Sequence, residues 1–537
     1  MRFILTTLAL ALLAATPLRA GDEGLTGFWK FAIHSDGPQT LWLIQFDKTK
    51  DGKLTATADA LKGAPKAKLD DIKLGGDTLT MRVRATILGQ GGPREIIFDY
   101  EGKLPKPGAK KIFGSMREGG ATIPAVMEAT SAKTVFELDR DTLQRTPTDP
   151  RAFNALFDVI ELAKENKLDV KDLQSLVDGS LKAAELYGPR FQMKHQLSLL
   201  KALQGQKMYA EIGIETARKI GKQVDAQMPL NTQLEILSQV AGALRAGGQA
   251  GEASTLEVRV DKLEGQAYDE YGKKALNFKT EKFGGRKAKS NRAVLVELFT
   301  GAQCPPCVAA DMAFDGLEKT YGPGEVVLLQ YHMHIPAPDP LSNSDNDARF
   351  EQYVAANPTK VSGTPATLFN GKVEVPGGGA RDDAPEKYKD YCEVVNKQLE
   401  TALAVKLSAT ATRTGDKIAI VAKVQNLEKP GDKVRLRLAL VEDWVRYKGR
   451  NGLQYHHRIV RALPGGAKGV AVGEKEFDYK ASVDLGELRA SLNKYLDEDY
   501  TDGPRPMRLR HLSVVAFVQN DASSEVLQAI NVPLKSE

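Results

Sequence analysis

A chain of 537 residues exceeds what one hydrophobic core fills, so several domains are expected. Hydrophobic residues make up 42% and charged residues 27%, and 74 basic against 69 acidic side chains nearly balance; this excludes a disordered polymer and bulk nucleic-acid binding. Three cysteines are too few to staple a chain of this size, so the fold must rest on its cores.

The first twenty residues, MRFILTTLALALLAATPLRA, have a basic start, an apolar run and small residues before a cut after Ala20. They read as a secretory signal, which places the remainder in the periplasm or cell envelope, or outside the cell. The apolar run falls short of the roughly 20 residues that cross a bilayer. No later stretch is apolar enough, so no transmembrane segment is expected after the signal.

Residues 21–138 alternate with a period of two in LWLIQF (41–46), KLTATA (53–58), DTLTMRV (77–83) and REIIFDY (94–100), with glycine-bearing turns between them. This predicts an antiparallel meander, and curling it into a barrel hides its edges. GFW at 27–29 resembles the Gly-x-Trp start of lipocalin-like barrels, with Trp29 plugging one end of the core. From 149 to 278 the spacing turns helical, as in Phe153, Leu156, Phe157 and Ile160, and Asp149-Pro150 is a helix start. YGP (187–189), QMP (227–229) and AGGQAGEA (246–253) break the region into several helices, a bundle or irregular solenoid without a clean repeat. His195 lies in one of them as a core or surface histidine. The basic stretch KTEKFGGRKAKSNR (279–292) reads as a linker.

Residues 293–402 open with the apolar strand AVLVELF (293–299), the loop TGAQ and a helix that begins at CPPC. The positive end of a helix favours a thiolate at Cys304, and Cys307 one turn on is placed to resolve a mixed disulfide. Pro305 and Pro306 suit a first helical turn and stiffen it. The pair is therefore a redox couple, half of a metal site or an inert staple. His332 and His334 share a strand face in QYHMHIPAPDP, and with the two cysteines they would make a set for copper or zinc. Their H-x-H spacing departs from the usual one, and PAPDP reads as a rigid border, so no metal or other cofactor is expected. Cys392 shares a helical face with Tyr388, Tyr391, Val395 and Leu399 and reads as a buried inert thiol.

The strand, the CPPC helix and the later VSGTPATLFNGK (361–372) occur in the order that resembles the thioredoxin-like superfamily, over about residues 290–402. VELFTGAQCPPC is also similar to the active-site strand of a poorly defined bacterial family of that type. The resemblance implies a cis peptide between Thr364 and Pro365 beside the cysteines, with both residues contacting substrate. It further implies a buried acid that accepts the second thiol's proton. Glu297 is the candidate, one residue further from the first cysteine than the usual acid; a salt bridge at a sheet edge is the alternative.

Residues 403–537 return to period two, most plainly in KVRLRLALVED (433–443), KIAIVAKVQ (417–425), LSVVAFVQN (512–520) and VLQAINVPL (526–534). They predict an antiparallel β-sandwich. LVEDWVRY with YHHRIVR resembles the C-terminal region of a thioredoxin-like family related to outer-membrane proteins. Neighbours on a strand point to opposite faces, so His456 and His457 read as structural. The acidic LDEDYTDG (496–503) reads as a solvated loop. The expected whole is a multidomain α+β protein. Its expected activity is that of an enzyme, a thiol–disulfide oxidoreductase acting on protein disulfides or thiols with an unidentified redox partner. The competing expectation is an envelope binding or scaffold protein in which the CPPC disulfide is only a staple.

Overall fold

The structure, a computed structural model, describes residues 25–34, 38–89, 92–104, 109–500 and 503–536. The secretory signal expected over residues 1–20 lies outside them. The chain divides into two compact units, Met1–Gly265 and Gln266–Glu537.

The first unit begins with β1 (Gly27–His34), β2 (Pro38–Lys48), β3 (Leu54–Ala60) and β4 (Lys66–Gly75). It continues through β5 (Thr78–Gly89), β6 (Gly92–Lys103), β7 (Lys111–Glu118) and β8 (Ala121–Thr130). They form an antiparallel sheet in the order β3-β2-β1-β8-β7-β6-β5-β4, with β3 and β4 brought together at its two ends, so the sheet is barrel-like. Alternate side chains fill the interior, among them Trp29, Phe31, Trp42, Phe46, Val83 and Tyr100. Trp29 is 2% exposed, and its indole N–H donates to the Leu25 carbonyl at 2.9 Å.

Seven helices follow: α1 (Val135–Arg145), α2 (Pro150–Leu162), α3 (Val170–Glu185), α4 (Pro189–Leu203), α5 (Ala210–Lys222), α6 (Leu230–Ala246) and α7 (Ala250–Gly272), whose last residues belong to the second unit. The side chains of Asp149 and Asp169 accept backbone N–H groups at the starts of α2 and α3, as short acceptors at the N-cap do. The breaks read at 187–189, 227–229 and 246–253 fall between helices or at their first turns. His195 is a core residue, 2.8 Å from the Ser180 hydroxyl, and burial pushes its pKa down to about 4.

The second unit carries β9 (Val294–Thr300), α8 (Val308–Thr320), β10 (Val326–His332), α9 (Ser344–Ala356), β11 (Ala366–Phe369) and α10 (Ala384–Leu399). Then come β12 (Lys406–Thr414), β13 (Lys417–Gln425), β14 (Gly431–Arg446), β15 (Tyr455–Ala462) and β16 (Val470–Val472). The last elements are β17 (Phe477–Asp484), α11 (Leu485–Asp499), β18 (Leu512–Asn520) and β19 (Glu525–Ser536). One mixed sheet runs through all the strands in the order β11-β9-β10-β15-β14-β18-β19-β12-β13-β17, with β16 on β14.

β9 and β10 are parallel and fully buried, which explains why they are apolar on both faces apart from Glu297, Thr300, Gln330 and His332. Val294, Val296 and Leu298 pack against α8 and α10, while Leu295 and Phe299 face α9. Where the sequence suggests a boundary near residue 402, the sheet continues: β15 lies parallel to β10 at Gln330 and Ile459, so the free edge of β10 is taken up by a distant strand. β19 pairs with β18 along its first part and with β12 near its end. This turns β12, β13 and β17 back over β14 and β18, where Ile418, Ile420 and Val424 meet Leu436, Leu438 and Val514. The acidic stretch read as a loop at 496–503 is in part helical, because residues 496–499 close α11 and Leu496 is buried in the core. Residues 279–292 have neither helix nor strand, yet they are tied down: the amides of Lys287 and Ala288 donate to Glu400, and the buried Arg292 reaches Glu525 and the Val526 carbonyl.

Candidate active site

β9 delivers the chain to a loop at 301–303 and then to Cys304, which precedes a single 3-10 turn, Pro305–Cys307, continuous with α8. The two prolines occupy the first positions of that turn, where no backbone N–H is missed. Cys304 and Cys307 are joined by a disulfide, with their Cα atoms 5.4 Å apart. Both are buried, Cys304 at 2% exposure and Cys307 at 0%, whereas the prolines between them are exposed.

The Thr364–Pro365 peptide is cis and lies beside this disulfide. Thr364 Oγ1 donates toward Cys304 Sγ at 3.6 Å, and the Thr364 carbonyl stands 4.0 Å from the same sulfur. The next segment, Pro376–Gly379, straps the cysteine turn at Pro306 and lies against Pro365. The Gly379 N–H donates to the Pro306 carbonyl at 2.7 Å, and the Ala309 N–H returns to the Gly379 carbonyl at 3.1 Å. A Cβ on Gly378 would overlap the Pro306 carbonyl oxygen and stand 2.7 Å from Pro365 Cγ, so only glycine lets the strap lie this close. The 301–303 loop is held by the segment that leaves β14. Asn451 N–H donates to the Ala302 carbonyl at 3.0 Å, and Gln303 donates to the Tyr447 hydroxyl at 3.0 Å.

Glu297 does not face the cysteine helix. It shares the face of Leu295 and Phe299, opposite α8, and its carboxylate is saturated by Arg349 (2.9 and 3.0 Å), Tyr331 (3.0 Å) and Tyr353 (2.5 Å). The relay assignment is corrected on that ground: this is a salt bridge on an interior strand, between β11 and β10, rather than at a sheet edge. The buried acid on the cysteine side is Asp311, one helical turn beyond Cys307, where i and i+4 side chains share a face. Its Oδ1 accepts from Thr300 (2.8 Å) and Gln330 (3.0 Å), while its Oδ2 is buried without a partner. Burial pushes its pKa well above the usual carboxyl range, and the neighbouring Asp315 and Asp339 add to the effect.

The chain of contacts continues from Asp311 through Gln330, whose carbonyl oxygen lies 3.2 Å from His332 Nε2, to His332 Nδ1, 2.9 Å from Asp339. Asp339 also accepts the Ala302 N–H at 2.6 Å, tying this network to the loop before Cys304. Burial raises the Asp339 carboxyl, but His332 and the backbone donors outweigh it and leave the pKa below its ordinary value. His334 accepts the Asp339 N–H at 2.8 Å and stacks on Tyr495. Both ring nitrogens of His332 and one of His334 are thus engaged within the protein. Among the described residues no three His, Cys, Asp or Glu side chains are arranged to hold a metal ion.

His456 and His457 point to opposite sides of β15. His456 meets the His332 ring, and His457 Nδ1 lies 2.6 Å from Asp315 on α8. Cys392 is half-buried between Tyr388 and Tyr321, and burial raises its thiol pKa. Neither Asp311 nor the strap was singled out from sequence. The available signals are two acids four residues apart, Asp311 and Asp315, in a helix that is otherwise apolar up to Leu317, and the run PGGG at 376–379.

The sequence matches a family described as a protein of unknown function (DUF1223) over residues 295–462, from β9 to the end of β15. No curated protein matches the chain. Among solved structures, a crystal structure of an Agrobacterium tumefaciens protein is similar at 19% identity and a TM-score of 0.29, covering 47% of this chain and 97% of that one. A Podospora anserina protein described as a putative kinesin light chain with nearly identical TPR-like repeats is similar at 15% identity and a TM-score of 0.20. It covers 25% of this chain and 65% of its own.

Proposed function

We propose that this chain is an exported thiol–disulfide oxidoreductase of the thioredoxin-like type, acting on protein disulfides or thiols through Cys304 and Cys307. The observation that carries the reading is the seating of the disulfide against the cis Thr364–Pro365 peptide, with Thr364 Oγ1 3.6 Å from Cys304 Sγ. The arrangement of β11, β9 and β10, with α8 and α10 on one face and α9 on the other, supports residues 293–402 as the thioredoxin-like part. The layered packing of β12, β13 and β17 on β14 and β18 supports a β-sandwich over 403–537. Residues 21–138 and 149–278 then serve as a lipocalin-like barrel and a helical region.

In the reduced protein, the Cys304 thiolate attacks one sulfur of a substrate disulfide; that S–S bond breaks, a mixed disulfide forms, and a substrate thiolate leaves. Cys307 passes its proton to the Asp311 carboxylate and attacks Cys304 Sγ. The intramolecular disulfide re-forms and the second substrate thiolate departs. The substrate gains two electrons and the protein loses two; the reverse sequence oxidises a dithiol. A second thiol or disulfide protein resets the pair. Asp311 suits the proton step because burial raises its proton affinity toward that of a thiol.

The staple reading is favoured by one observation, the 2% exposure of Cys304. The two separate with a Cys307→Ser variant, in which Cys304 cannot be resolved. An oxidoreductase accumulates mixed disulfides through Cys304, and the wild-type protein reduces or oxidises a test disulfide. A staple captures nothing, leaves the test disulfide unchanged and resists mild reductant.

A further inference from the structure

On the face of the sheet away from the cysteines, α9, β14 and the β18–β19 turn enclose a groove of about 410 Å³. Four cations line it: Arg349, Arg435, Arg437 and Lys468. A single acid, Asp521, lines it with them. Arg349 is neutralised from behind by Glu297. Arg437, only 3% exposed, lies 2.9 Å from Asp521, and Arg435 reaches the same carboxylate only at 4.0 Å. One carboxylate therefore serves two guanidinium groups, and the exposed Lys468 adds a third charge. The groove carries an excess of about two positive charges; Asp521 sits closest to the buried Arg437, which leaves the excess on the partly exposed Arg435 and the exposed Lys468.

We propose that this groove is a binding site for a small phosphate-bearing ligand, held by the Arg435 and Arg437 guanidinium groups and the Lys468 ammonium. A phosphate monoester carries about two negative charges at neutral pH, which matches the excess, whereas a single carboxylate leaves half of it uncompensated. The planar guanidinium fork fits phosphate oxygens in pairs, and the groove has room for more than the phosphate group itself. Asp521 is a competing anion that holds Arg437 in place when the site is empty. The site is separate from the cysteine pair, and its occupancy does not depend on the redox reading.

The experiment is calorimetric titration of the full chain with inorganic phosphate and with glycerol 3-phosphate, at fixed ionic strength against a chloride control, together with thermal-shift measurements. Saturable binding is expected for both probes and tighter for the phosphomonoester. The partly exposed pair Arg435→Ala and Lys468→Ala, combined, should weaken it at least about ten-fold with no change in circular dichroism. Asp521→Asn removes the competitor and should act in the opposite direction, tightening binding and enlarging the thermal shift. Absence of saturable binding by the wild-type chain, or equal binding by the double variant, overturns the proposal. So does weaker binding by Asp521→Asn.

Discussion

Replacing Gly378 by alanine tests whether the glycine strap governs access to the disulfide. The new Cβ overlaps the Pro306 carbonyl oxygen and presses Pro365 Cγ at 2.7 Å; both neighbours are stiff, so the strap must lift. Lifting it lengthens or breaks two hydrogen bonds, Gly379 N–H to Pro306 at 2.7 Å and Ala309 N–H to Gly379 at 3.1 Å. At about 1 kcal/mol net for each bond, the closed state loses roughly 2 kcal/mol, which raises the open population about 30-fold. Reduction of the Cys304–Cys307 disulfide by dithiothreitol should accelerate by about that factor if opening precedes attack. The assay is quenched-flow alkylation followed by intact-mass analysis at pH 7, with circular dichroism as the control for folding. Equal rates in variant and wild type, within two-fold, refute the strap as the barrier. A wild-type rate equal to that of an unstructured peptide disulfide refutes it as well, because no barrier then remains to be lowered.

Asp311→Asn removes an acid whose folded pKa lies above its unfolded one. Such a group costs stability as pH rises past the unfolded carboxyl range, so the variant should unfold at higher urea than wild type at pH 8 and at the same urea near pH 4. If Asp311 also takes the Cys307 proton, resolution of a pre-formed mixed disulfide slows at pH 7 in the same variant. Asp139 in the first unit is buried with one oxygen unpartnered, and burial, with Asp158 nearby, pushes its pKa up to about 7. Wild-type stability of that unit should therefore fall as pH rises from about 4 to about 7, by no more than about 4 kcal/mol, and Asp139→Asn should flatten the melting temperature against pH. Arg349→Met strands Glu297 in the core and should cost about 3–5 kcal/mol in denaturant unfolding; adding Glu297→Leu should recover most of it.

What the sequence makes legible is local. The runs 417–425 and 512–520 coincide with β13 and β18, because two-sided alternation or a short valine-rich apolar run leaves little choice of structure. The meeting of Cys304 and Cys307 with Thr364–Pro365 is what the resemblance to the thioredoxin-like superfamily implies, carried by short segments in a shared order. The parallel pairing of β10 with β15 was not legible, since nothing in either strand marks a partner so far along the chain. The surroundings of Glu297, left between a proton relay and a salt bridge, are not legible for a related reason. Period two groups it with Leu295 and Phe299 but does not say which face carries the cysteine helix. Asp311 was passed over because an acid on a helix ordinarily marks its wet side. α8 has none over most of its length, being packed by β9, α10 and β15 at once.

The burial of Cys304 and the placement of Asp311 pull toward different readings, and the energetics of the acid weigh on the side of the proposed one. A staple gains from exclusion of solvent and has no use for a neighbouring carboxyl. Asp311 is fully desolvated with one oxygen unsatisfied, a state that costs about 1–3 kcal/mol, and asparagine would keep its two contacts at less cost in desolvated charge. Two further acids, Asp315 and Asp339, raise its proton affinity and add to the cost. A thiol pair that must shed and regain a proton in a dry interior does require such a group, within one helical turn of the buried sulfur. On the proposed redox reading, burial is part of the same chemistry, since desolvation raises the proton affinity of the carboxyl toward that of a thiol. The strap is held to the cysteine turn by two backbone hydrogen bonds at Gly379, and its opening, which Gly378→Ala tests, is what would make that desolvation reversible.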